Sequence, residues 1–107
     1  MISENNTAQN KHLATLLSKC ARSDEVALTD VYNLTSAKLF AVIVRSLGMN
    51  AAAEQALQAT YVKVWLQAGD YRAELIEPMT WLTGIARSHV AEVLREQRKH
   101  EDIGVML

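Results

Sequence analysis

A single proline, Pro78, and four glycines are all that punctuate 107 residues. Glycine and proline are the strongest local breakers. A chain this poor in them cannot supply the turns of a many-stranded β sandwich and reads as a few long helices. Half of the residues are hydrophobic, which excludes disorder throughout. The length suits one domain with one modest core.

Four segments carry apolar residues at helical spacing. The first spans residues 11–22, with Leu13, Leu16, Leu17 and Cys20 on one face. Ser23 is the expected N-cap of the second, and Asp24 and Glu25 sit where the helix dipole favours negative charge. Leu28, Val31, Tyr32, Thr35, Leu39, Val42, Ile43 and Leu47 trace its buried stripe up to Gly48, a suitable C′ residue. Residues 39–44 are apolar nearly all round, which puts them at the centre of the core. Asn50 can cap a third helix, with Glu54 in its first turn. Ala53, Leu57, Thr60, Tyr61, Val64 and Trp65 keep the period until Gly69. A loop over residues 69–77 leads to Pro78, which suits the first position of a fourth helix. Leu82, Ile85, Ala86, His89, Val93 and Leu94 line that helix, which is expected to end after Arg95. The fold class is therefore all-α, a compact bundle of about four helices over residues 11–99. Residues 1–10, polar and aperiodic, read as a flexible tail. Residues 100–107 read as a second tail or the start of a linker.

Several function classes fall away. Cys20 stands alone, so there is neither an internal disulfide nor a multi-cysteine zinc site. No apolar stretch approaches the ~18 residues of a membrane span, and the polar start is not a secretory signal. A cytoplasmic protein without membrane insertion is expected. His12, His89 and His100 lie on three separate segments, and no Gly-rich phosphate loop occurs, so no enzyme, cofactor or metal is read. Cys20 and His89 read as core or boundary residues. With 11 basic and 12 acidic residues the net charge is −1. Any grip on nucleic acid must be local, or lent by a larger partner.

Two features remain. The third helix has an outward face of Gln55, Gln58, Ala59 and Val62, uncharged where a merely solvated face carries charge. Around the following loop stand Lys63, Tyr71, Arg72 and Trp81. Unstacked bases bind aromatic faces while Arg and Lys hold phosphates. Trp81 fits either the core or a ligand contact. Tyr71 either covers the end of the bundle or stacks on a base, and its loop position favours the second.

Residues 53–65, Ala-Glu-Gln-Ala-Leu-Gln-Ala-Thr-Tyr-Val-Lys-Val-Trp, resemble region 2 of bacterial sigma-70-family sigma factors, especially the extracytoplasmic-function group. Residues 78–87, Pro-Met-Thr-Trp-Leu-Thr-Gly-Ile-Ala-Arg, are similar to that group's Pro-x-x-Trp-Leu-x-x-Ile-Ala-Arg segment, and Gly69-Asp70-Tyr71 to its loop. The resemblance covers residues 13–99. It implies a domain that docks on the clamp helices of the core RNA polymerase β′ subunit, then recognises and melts the promoter −10 element in transcription initiation. By match to the motif, Gln55, Gln58, Ala59 and Val62 face the polymerase. Lys63, Tyr71, Arg72, Thr80, Trp81 and Arg87 face promoter DNA. An anti-sigma protein covering the same faces is a further partner implied by the resemblance.

Three departures stand out. Gln55 and Ala59 occupy positions that are acidic in the family. Glu92, Glu96 and Gln97 interrupt the basic series Arg87, Arg95, Arg98 and Lys99. The family's second domain, a helix-turn-helix that reads the −35 element, is not found in these residues. These departures motivate an alternative: a sigma-like adaptor or regulatory module that binds polymerase or a regulator without initiating transcription.

Overall fold

In the computed structural model, which describes residues 2–106 and side chains from residue 7 onward, four helices follow one another. They are α1 (Ile2–Ala21), α2 (Glu25–Leu47), α3 (Ala51–Gln67) and α4 (Pro78–Met106), with a short 3-10 turn at Ala68–Asp70 before α4. Among the described residues there is no strand.

The α1–α2 junction differs from expectation. Ser23 is not the cap of α2 but the last element of α1's closure, with φ at 66° in the left-handed region. Ser23 N donates to Cys20 O at 2.9 Å and Asp24 N to Lys19 O at 3.1 Å. These two bonds are the Schellman pattern, with Ser23 at the C′ position usually held by glycine. Asp24 is the N-cap of α2, its carboxylate accepting from Ala27 N at 3.1 Å. The α2–α3 junction follows expectation. Gly48, at φ 81°, donates its N–H to Val44 O. Asn50 serves both helices, since its Nδ2 donates to Leu47 O at 2.8 Å and its Oδ1 accepts from Ala53 N at 3.1 Å. Orphaned groups at one helix end and the next helix start are thus satisfied by one side chain. Gly69 does not stop α3, which ends at Gln67; the glycine lies inside the 3-10 turn.

The outer ends also differ. Residues 2–10, expected as a flexible tail, continue α1, and α4 runs through Gly104 to Met106 instead of ending after Arg95. Once a turn is anchored in the core, adding residues outward escapes the cost of nucleation. Gln9 and Asn10 also line a cavity with Leu34, Lys38 and Met79, so the extension of α1 rests on α2 and the start of α4. Met1 and Leu107, in the expected tails, lie outside the described residues. The radius of gyration is 15.8 Å, against about 13 Å for a compact chain of this length. The core ends at Val90 on α4, so the remainder of that helix projects beyond it.

Helix α2 packs against α1, α3 and α4. Leu17, Val31, Leu39, Ile43, Val64 and Leu82 are wholly buried where the helices meet. Alanines 27, 53, 56, 68 and 86 are buried beside them and let the backbones approach. Contrary to the sequence reading, α2 is long and apolar enough to cross a membrane by length and composition. Its stripe of Val31, Thr35, Leu39 and Ile43 is, however, consumed by the bundle core. Tyr32, expected in that stripe, is 42% exposed and packs against Tyr61 at a tilt of 59°, ring centroids 4.9 Å apart. On α4, Val90 is buried while Leu94 is 37% exposed, because the core stays on the side facing α2 and α3.

Candidate functional site

Helix α3 separates two surfaces. Ala53, Ala56, Thr60, Tyr61 and Val64 turn inward. Gln55, Gln58 and Val62 are exposed and Ala59 is half-buried. The 3-and-4 spacing aligns these four on one outward stripe, which Leu66 continues at 74% exposure. The stripe carries no charge. Gln58 and Val62 also border a shallow groove of about 550 Å³ between α2 and α3, lined by Leu28, Tyr32, Tyr61 and Trp65. A pair of buried hydroxyls fixes α3 against α2. Thr35 Oγ1 donates its only proton to Val31 O at 2.7 Å. The 2.6 Å bond between Thr35 Oγ1 and Tyr61 Oη must therefore have the tyrosine as donor. Burial pushes the Tyr61 phenol up to about 12, so it keeps that proton at any physiological pH.

The second surface is a groove of about 340 Å³ between α3 and α4, whose lining includes Lys63, Gln67, Thr80, Trp81, Ser88 and Glu92. Lys63, Thr80 and Trp81, distant in sequence, thus converge. Trp81 and Tyr71 pack on each other at 5.2 Å between ring centroids, tilted by 51°, and both remain half-buried. Each ring is therefore packed on one side and open on part of its surface. Tyr71 Oη donates to Ile76 O at 2.9 Å, so the ring also ties the loop to the start of α4. The Arg72 guanidinium donates to Gly69 O at 2.8 Å while its side chain stays exposed.

Across this groove Lys63 Nζ meets Glu92 Oε2 at 2.9 Å. That bond and the lysine's charge hold the Glu92 carboxyl below its usual range. His89 Nδ1 lies 3.6 Å from the same oxygen, buried and without a hydrogen-bond partner among the described residues. Burial, with Lys63 adding to it, holds the imidazole below its usual pKa and so favours its neutral form.

Arg87 does not join this groove. It lies two helical turns beyond Thr80 and lines a separate groove of about 390 Å³ between α2 and α4, with Arg45 and Ser46. Glu92, Ser88, Gln67 and Arg45 were not among the expected site residues. In the sequence Glu92 reads only as an interruption of the basic series, because a partner 29 residues away leaves no local pattern. Among the described residues no group of three or more His, Cys, Asp or Glu side chains could hold a metal ion.

Comparison with known proteins gives these surfaces a context. The family profile described as Sigma-70 region 2 matches residues 31–100, more than half of the chain. The chain is 28% identical over 85 residues to "ECF RNA polymerase sigma factor SigK" of Mycobacterium sp. (strain KMS), covering 79% of this chain and 44% of the relative. It is 28% identical over 86 residues to the protein of that name from Mycobacterium ulcerans (strain Agy99), covering 80% and 46%. To that of Mycobacterium tuberculosis (strain ATCC 25177 / H37Ra) it is 24% identical over 83 residues, covering 78% and 44%. The chain therefore spans less than half the length of these curated relatives. No solved structure matches it.

Proposed function

The chain belongs to the sigma-70 region 2 family, and from that premise we propose that it serves RNA polymerase as a sigma factor domain in transcription initiation. The outward stripe of α3, with Gln55, Gln58, Ala59 and Val62, docks on core polymerase at the β′ clamp helices. Interface cores are depleted in charge, and this stripe has none. Lys63, Tyr71, Arg72, Thr80 and Trp81 around the α3/α4 groove engage the non-template strand of the −10 element, and Arg87 contacts DNA from the neighbouring groove. Tyr71 and Trp81 present aromatic surface to unstacked bases, a contact worth ~1–3 kcal/mol per base. Polymerase supplies the remaining phosphate contacts, which a domain of net charge −1 cannot. An anti-sigma protein that covers the α3 stripe competes with polymerase directly.

The observation that carries this reading is the juxtaposition on α3 of an uncharged exposed stripe and, one edge away, a groove where Lys63, Thr80 and Trp81 converge. Permanganate footprinting of promoter DNA with core polymerase and the chain tests it. Reactive thymines at the −10 region that depend on the chain are expected; stable assembly with unreactive thymines would overturn promoter melting.

One observation favours a second reading, a sigma-like adaptor that binds polymerase or a regulator without opening DNA. Lys63 is already paired with Glu92, and Tyr71 is bonded into its own loop. On that reading the footprint stays blank while polymerase binding persists.

A further inference from the structure

The α3/α4 groove holds one cation and one anion among its described lining residues, and they are bonded to each other. Lys63 Nζ lies 2.9 Å from Glu92 Oε2 in a groove also lined by Thr80, Trp81 and Ser88. No second cation lines the groove among the described residues. His89, packed behind Glu92 at 3.6 Å, is held towards its neutral form by burial. Arg95, on the same helix as Glu92, adds only to the stabilisation of the carboxylate. A nucleic-acid phosphate approaching Lys63 therefore meets an ammonium already in use and a carboxylate that repels it.

We propose that Glu92 is an internal competitor for phosphate, which sets the affinity of the α3/α4 groove for single-stranded DNA by occupying Lys63. The proposal rests on the reading of Lys63 as a DNA contact. Phosphate and carboxylate exchange on one ammonium. In the free chain Lys63 is held by Glu92, and on DNA it turns to a backbone oxygen while Glu92 swings into solvent. Glu92 is more than half exposed, so this swing meets no packing barrier. The competition is modest because the pair is partly solvated: exposed ion pairs of this kind shift equilibria by about two- to fivefold. It also leaves a mark in salt dependence. A lysine that neutralises a single-strand phosphate releases counterions and contributes about −0.7 to the slope of log affinity against log salt. When the same event strips a carboxylate of its partner, the freed carboxylate attracts cations and offsets part of the release.

Glu92→Gln, Lys63→Met and the double variant, as full chains assembled with core polymerase, test this against a fluorescent, short, mixed-sequence single-stranded DNA. Anisotropy is read at several salt concentrations, and circular dichroism checks the helices. Glu92→Gln is expected to tighten binding about two- to fivefold and to steepen the salt slope, by no more than about 0.7, with Lys63→Met abolishing both gains in the double variant. If Lys63→Met weakens the parent chain but Glu92→Gln changes neither affinity nor slope, the competition is refuted and Lys63 remains a DNA contact. If Glu92→Gln tightens binding equally with and without Lys63, the carboxylate acts by general repulsion and the proposal fails. If Lys63→Met has no effect in either background, the DNA reading of Lys63 falls and takes the proposal with it.

Discussion

Thr35 and Tyr61 join α2 to α3 through a bond whose direction is determined, and that direction makes the two ends unequal. Thr35 Oγ1 gives its proton to Val31 O at 2.7 Å, so it can only accept from Tyr61 Oη at 2.6 Å. Tyr61→Phe removes the donor and leaves Thr35 with its own bond intact. The loss is one net hydrogen bond, about 1 kcal/mol. Thr35→Val keeps the shape but strands the tyrosine O–H where Tyr61 is only 6% exposed. An unsatisfied buried donor costs roughly 1–3 kcal/mol, so about 2 kcal/mol is expected. For a domain of this size 1 kcal/mol moves Tm by about 4–8 °C. Urea titrations and thermal melts of both single variants and the double variant measure the difference. Thr35→Val should be about twice as damaging as Tyr61→Phe, and the double variant less damaged than the sum of the two. Strict additivity, or Tyr61→Phe as the worse change, would show that the bond does not run from tyrosine to threonine and would refute the reasoning.

The remaining predictions are local. Ser23→Gly should stabilise the protein by about 1 kcal/mol in urea titration, because Ser23 pays for a left-handed φ of 66° that glycine adopts freely. An unchanged midpoint would mean that the Schellman turn is unstrained. His89 has its pKa held below the ordinary 6.5 by burial and Lys63, so the unfolded chain binds its proton first. Stability should rise with pH through the window just below 6.5 and be lost as pH falls through it. His89→Gln should flatten that segment of the stability–pH curve, and an identical slope in the variant would contradict it. Gln58→Arg places a charge on the exposed stripe of α3. It should weaken capture by core polymerase at least tenfold, a cost of about 1.4 kcal/mol, without altering the melting temperature. Unimpaired capture would remove that face from the polymerase contact.

Much of this architecture is written in neighbouring residues. Leu13, Leu16 and Leu17 on α1, or Val31, Thr35, Leu39 and Ile43 on α2, recur at the spacing that puts them on one face, whatever the rest of the chain does. Asn50, Gly48 and Pro78 mark helix ends because each satisfies, or lacks, a backbone group within a few residues of itself. The uncharged stripe of Gln55, Gln58, Ala59 and Val62 is legible for the same reason. The family motifs, running through α3, the loop and the first turns of α4, are also local strings. Failures of sequence reading arose where two local signals competed. Ser23 and Asp24 are both good caps, and only the closure of α1 onto Lys19 and Cys20 assigns Ser23 to the left-handed position. The helix ends at residues 2–10 and 96–106 carry no apolar period, so nothing in the pattern announced that a folded turn would propagate into them.

Tertiary structure decided what meets what. Lys63 finds Glu92 29 residues away and Tyr61 finds Thr35 26 residues away. Tyr71 meets Trp81, and Arg87 is set apart from Lys63 in another groove. Such pairings depend on the angles at which four helices pack, and those are set by buried side chains from every helix at once. Periodicity and capping are short-range and survive in the isolated string. A groove with one compensated charge exists only after the core has brought α3 and α4 side by side.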